Sequence, residues 1–165
     1  MPKKRSVNPG NEKVCDALVR VYTPRVPQIH FKHEIMSALH AISRQTGCVI
    51  RNFHWQTYPQ SFHWIELNGS DGPFSLLIEE GAPLAALCRS VPRAGGRLVF
   101  LDDPIFAQTA ARLLAPFGFM RAAELRMDLT PADRAFVANL SDRHAKDLKY
   151  WKPETVGDVI FNFWD

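Results

Sequence analysis

The triplet Phe-His-Trp occurs twice, at Phe53-His54-Trp55 and Phe62-His63-Trp64, nine residues apart, with Tyr58-Pro59 midway between. Side chains alternate faces along a strand. A hairpin turning at Tyr58-Pro59 therefore predicts Phe53 opposite Trp64, His54 opposite His63 and Trp55 opposite Phe62. One face would then carry four large aromatics and the other two facing histidines. Each ring buries on the order of 150–250 Å², and four exposed rings would form an apolar patch that demands a partner. The aromatic face is read as core. The histidine face, flanked by Asn52, Gln56 and Ser61, is read as polar.

The rest of the chain supplies elements to pack on such a hairpin. Helices are expected over 12–22 and 31–46, the second from Ile35, Leu39 and Ile42 on one face with Gly47 as its stop. Pro24 and Pro27 impose an extended connector between them. Strands are expected over 48–57, 61–68 and 74–79, the last two joined through Asn68-Gly69-Ser70-Asp71-Gly72. Residues 83–90 read as a helix, 97–101 as a strand buried on both faces, and 119–129 as a fifth strand. Asp102 or Asp103 caps a helix that opens at Pro104, whose inner side carries Ile105, Ala110, Leu113 and Leu114 and which Gly118 ends. Thr130-Pro131-Ala132-Asp133 opens another, to about residue 147. The order predicts a single α+β domain over 12–165. It would hold an antiparallel meander of about five strands packed with helices and extended by a βαβ-like unit, behind a flexible basic tail over 1–11.

Composition narrows the class. Of 165 residues, 46% are hydrophobic and 22% charged, as in ordinary globular proteins. The net charge of +3 suits an acidic partner without requiring one, and the twenty Lys and Arg are scattered rather than gathered into a nucleic-acid stripe. Cys15, Cys48 and Cys88 are odd in number and far apart, which signals neither a disulfide framework nor a Cys-x-x-Cys metal site. They read as reduced thiols of a cytoplasmic protein. No apolar run is long enough to span a membrane, and no apolar stretch follows the basic start as in a secretory signal.

Several constellations invite chemistry. His54 and His63 could supply an acid and a base, or two metal ligands, although catalytic zinc needs a third. His30, His33 or His40 could complete such a set, but His30-x-x-His33-Glu34 lacks the i, i+4 spacing of a metalloprotease helix. Asp102-Asp103 follow a strand, where α/β sheets place catalytic carboxylates, and are equally an N-cap. Glu79-Glu80 could approach them to hold a divalent metal. There is no phosphate-binding glycine loop, dinucleotide fingerprint or serine elbow. No cofactor or metal is therefore expected. Arg143, Lys146 and Lys149, with Lys152 beyond, form a basic stripe near a helix C-terminus, which complements the helix dipole.

Residues 150–165 hold five aromatics, Tyr150, Trp151, Phe161, Phe163 and Trp164. A chain end this aromatic must be tied down or bound. Val156, Val159, Ile160, Phe163 and Trp164 at helical spacing, after Pro153 and Thr155, predict a short C-terminal helix that docks on the body. This sixteen-residue ending, Tyr-Trp-Lys-Pro-Glu-Thr-Val-Gly-Asp-Val-Ile-Phe-Asn-Phe-Trp-Asp, resembles those of small bacterial proteins of toxin–immunity pairs. The resemblance implies a cognate toxin-like protein partner and assigns no residue a role.

The first expectation is thus a non-enzymatic protein-binding module that occludes a toxin, with Arg143, Lys149, Trp151 and Trp164 as contacts. The alternative is a small hydrolase or transferase using His54 and His63 with Asp102 or Asp103. A nucleic-acid binder using the basic helix and tail is the third. The sequence sets no oligomeric state.

Overall fold

The computed structural model describes residues 13–23, 31–57, 59–79, 81–93, 96–115 and 117–164. The basic tail over 1–11, the connector prolines Pro24 and Pro27, His30 and Glu80 lie outside them. The expected α+β architecture is present, as seven helices and a six-stranded sheet among the described residues. No helix there is long and apolar enough to cross a membrane.

The sheet runs β1 (Val49–His54), β2 (Phe62–Gly69), β3 (Gly72–Glu79), β4 (Leu84–Cys88) and β5 (Phe100–Leu101), each antiparallel to its neighbour. A sixth strand, β6 (Gly118–Phe119), lies parallel to the first half of β4. Both faces are covered, so alternate positions of one strand feed two cores. On one face α2 (Phe31–Thr46) and α3 (Pro104–Leu113) cover Ile65, Leu67, Leu76 and Ile78 with Ile35, Leu39 and Phe106. On the other, α1 (Asp16–Tyr22), α4 (Ala122–Leu125), α5 (Pro131–Ala138) and α7 (Val156–Ile160) enclose Phe62, Leu77, Cys88 and Phe100. Outermost lies α6 (Asp142–Trp151), which buries no residue fully.

Local chemistry explains the helix ends. Gly47 at φ 74° stops α2. Asp103 accepts the Phe106 N–H at 3.0 Å and Pro104 opens α3. Thr130 and Asp133 cap α5 reciprocally at 3.1 and 3.0 Å. The buried Asp133 also takes the Cys15 N–H at 2.7 Å, which fixes where α1 begins, four residues later than its periodicity suggests.

The structure corrects four sequence expectations. The segment 83–90 is not a helix. Its five residues Leu84–Cys88 are all buried in the strand β4. An apolar run without a polar position carries no period that separates helix from strand, and two-sided burial decides it. Of 97–101 only Phe100–Leu101 form a strand, and Val99 is 55% exposed. Of 119–129 only the start is strand, after which Arg121 opens α4. The helix expected over 131–147 breaks after Asn139, where Ser141 caps α6 afresh by accepting the His144 N–H at 3.3 Å.

A further correction concerns the triplets. β1 and β2 start in the register Val49↔Asn68 and Ile50↔Leu67, which, if continued, would bring Phe53 to Trp64 and His54 to His63. A β-bulge at Arg51 intervenes, and the later pairs are Asn52↔Glu66, Phe53↔Ile65 and His54↔Trp64. One extra residue moves every following side chain relative to its partner strand. Phe53 and Trp55 pack in the α2 core and Phe62 and Trp64 in the opposite one, so the four-ring face does not form.

Candidate functional site

On the α7 side of the sheet a cleft of about 1400 Å³ opens between three walls. Its floor is the β1–β2 surface, with Asn52, His54, Trp64 and Glu66. One wall is the segment after β4, with Val91, Arg93, Arg97 and Leu98. The other is the C-terminal segment, with Trp151, Lys152, Glu154, Asp158, Phe163 and Trp164.

The bulge builds the floor by bringing His54 onto Trp64. Their rings lie parallel, with centroids 3.6 Å apart and 6° between planes. Glu66 sits two residues beyond Trp64, on the same strand face, and its Oε1 is 3.0 Å from His54 Nε2. A carboxylate only accepts, so Nε2 donates. Stacking fixes the plane of the imidazole and the carboxylate fixes one edge. The ring is held in two independent ways.

The walls are held together by ions and by the chain end. The Arg97 guanidinium donates to Glu154 and lies 3.4 Å from Asp158 Oδ2. That hydrogen bond to Glu154, followed by the charge of Asp158, raises the pKa of Arg97. Asp158 also takes the backbone N–H groups of Glu154 and Thr155 at 3.1 and 3.0 Å. At the other end Ser61 Oγ donates to the Ile160 carbonyl at 3.0 Å, and the Asn162 N–H donates back to it at 3.1 Å. Lys152 ends α6 in the left-handed region at φ 48°. Beside it the Trp151 ring, 40% exposed, meets the more exposed Tyr150 edge-on at 5.0 Å.

The catalytic alternative does not converge. His63 lies on the face opposite His54, against Trp55 at 5.3 Å, and its Nδ1 accepts the Gln56 N–H at 2.7 Å. Burial, then the charge of Lys32, lowers its pKa to about 4. It is a neutral clamp on the β1–β2 connection. Asp103 is occupied by its cap, and Asp102 accepts the Ala122 N–H at 2.8 Å to position α4. His33 and His40 are exposed on α2. Glu79 lines a second cavity of about 280 Å³ with Tyr22, His144, Asp147 and Trp164. Burial, then Glu79 and Asp147, pushes the Tyr22 phenol up to about 12. Among the described residues no three His, Cys, Asp or Glu gather as a metal site.

Of the expected contact residues, Trp151 and Trp164 both line the cleft. Arg143 and Lys149 lie outside it on α6, both exposed, with Arg143 Nε 3.8 Å from Asp147. Sequence reasoning missed Glu66, which the correct register would have revealed. It also missed Arg97, whose partners lie 57 and 61 residues away with no local signal. No protein-family model matches the chain, and no curated protein or solved structure is significantly similar to it.

Proposed function

We propose that this chain is a cytoplasmic, non-enzymatic protein-binding module of the bacterial immunity type, which seats part of a cognate toxin-like protein in the cleft and so occludes it. The observation that carries the reading is the placement of Trp151 and Trp164 on one cleft of about 1400 Å³. That volume exceeds the roughly 300–1,000 Å³ of small-molecule sites and suits a polypeptide segment. Half-exposed tryptophans beside charged groups are also the usual anchors of protein interfaces. The product of the neighbouring reading frame, titrated against the purified chain by calorimetry, is expected to form a stoichiometric complex that Trp151→Ala weakens at least tenfold, roughly what a hot-spot aromatic contributes. Absence of any stoichiometric partner, from that frame or on purification from the native host at any salt, rejects the reading.

A hydrolase or transferase reading keeps one observation in its favour. An imidazole fixed by a carboxylate at 3.0 Å in an open cleft is the arrangement of a general base. It rests on His54 alone and no longer on His63. A substrate screen in which His54→Ala abolishes a turnover that His63→Asn retains would favour it over binding.

A further inference from the structure

Within the cleft the acidic groups are already engaged. Glu66 accepts from His54 at 3.0 Å, Glu154 from Arg97, and Asp158 from Arg97 and two backbone N–H groups. Two cations on the same cleft are not. Among the described residues neither Arg93 nor Lys152 forms an ion pair. Lys152 is also held where glycine would be unstrained, at φ 48° and ψ 54°, with its N–H on the Leu148 carbonyl. The next residue, Pro153, is buried and its carbonyl accepts from Arg134 at 2.9 Å, which fixes the lysine at the rim.

An incoming chain therefore finds acceptors taken and cations available, with the Trp151 ring beside them. We propose that the cleft takes an acidic segment of the partner protein, whose carboxylates pair with Arg93 and Lys152 while an apolar side chain seats on Trp151. This deepens the binding reading and rests on it. A peptide can bring one or two carboxylates and leave its other positions neutral. A nucleic-acid strand brings a phosphate at every nucleotide and would set several against Glu66, Glu154 and Asp158. The observations favour the protein segment.

The test is selection from a random peptide library on the immobilised full chain, with the enriched peptides resynthesised and titrated by calorimetry. The expected peptides carry Asp or Glu beside an aromatic or aliphatic residue. Arg93→Gln and Lys152→Gly are each expected to weaken them by roughly tenfold, the worth of one charged hydrogen bond. Glycine is the unstrained residue at position 152, so that variant keeps the fold and its thermal midpoint reports this. Arg44→Gln, exposed on α2 at the opposite face of the sheet, is expected to bind as the parent does. Enrichment of basic or uncharged peptides, no enrichment, or full affinity in both cleft variants overturns the proposal. So does a labelled single-stranded DNA or RNA oligonucleotide that displaces the peptides and depends on Arg93 and Lys152. If the product of the neighbouring reading frame still binds both variants fully, the acidic-segment proposal fails while the binding reading stands.

Discussion

His54 and Trp64 are cross-strand partners whose rings lie parallel at 3.6 Å between centroids, and they meet because Arg51 is an extra residue in β1. Without that bulge the imidazole would lie opposite His63 and leave the cleft floor. The pair thus converts a local irregularity into the surface on which the proposed partner rests. His54→Ala is expected to cost about 1 kcal/mol, the scale of a stacked pair, read from the urea midpoint. Trp64 emission should shift red as its face opens to water. An unchanged midpoint and spectrum would mean the two rings do not stack in solution.

Gly157 tests how closely α7 docks. A Cβ there would lie 2.5 and 2.8 Å from ring carbons of Phe100 and 2.9 Å from the Leu125 carbonyl oxygen. Backbone cannot yield as a flexible side chain does, so Gly157→Ala is expected to destabilise by about 1–3 kcal/mol through overpacking. Equilibrium urea unfolding checks this. A neutral result would place α7 farther from the sheet.

The His63 clamp predicts a pH dependence. Its folded pKa of about 4 lies below the unfolded value of 6.5. The neutral ring's contribution is complete above pH 6.5 and is lost as pH falls towards 4, where the unfolded chain has taken up a proton that the folded one refuses. His63→Asn keeps an acceptor for the Gln56 N–H and removes the titration. The urea midpoint of the parent should fall more steeply between pH 6.5 and 4 than that of the variant. Parallel curves would show that His63 is not protected from protonation.

Thiol reactivity should rank with burial. Cys15 is half-buried, Cys48 and Cys88 are buried, and burial pushes the Cys88 thiol up to about 12. The thiolate is the nucleophile. Alkylation of the native chain followed by peptide mass mapping is expected to find Cys15 modified first and Cys88 only after unfolding. Early labelling of Cys88 would contradict the packing of β4.

What the sequence made legible follows from where its signals are local. α2 and α7 could be read because their spacing, caps and stops lie within a few residues, as with Gly47 and Thr155. α3 opens at Asp103 and Pro104 as expected, but it ends at Leu113 rather than at Gly118. Ile105, expected on its inner side, is 75% exposed, while Phe106 is buried. β4 could not, since Leu-Ala-Ala-Leu-Cys has no polar position to reveal a period. The triplets were rightly read as strands except for Trp55, which lies just past the end of β1. A bulge at Arg51, however, leaves no mark in composition, and one residue separates facing histidines from histidines on opposite faces. The density of aromatics over 150–165 singled out Trp151 and Trp164, and both line the cleft. Arg97 with Glu154 and Asp158 joins segments whose proximity only the fold creates.

The most direct measurement is hydrogen exchange of the chain with and without the product of the neighbouring reading frame. Slowed exchange at 52–54, 64–66 and 151–164, reduced in Trp151→Ala, is the result expected of a partner seated in the cleft. Protection confined to the exposed face of α6 around Arg143 and Lys149, with the cleft segments unchanged, would contradict it.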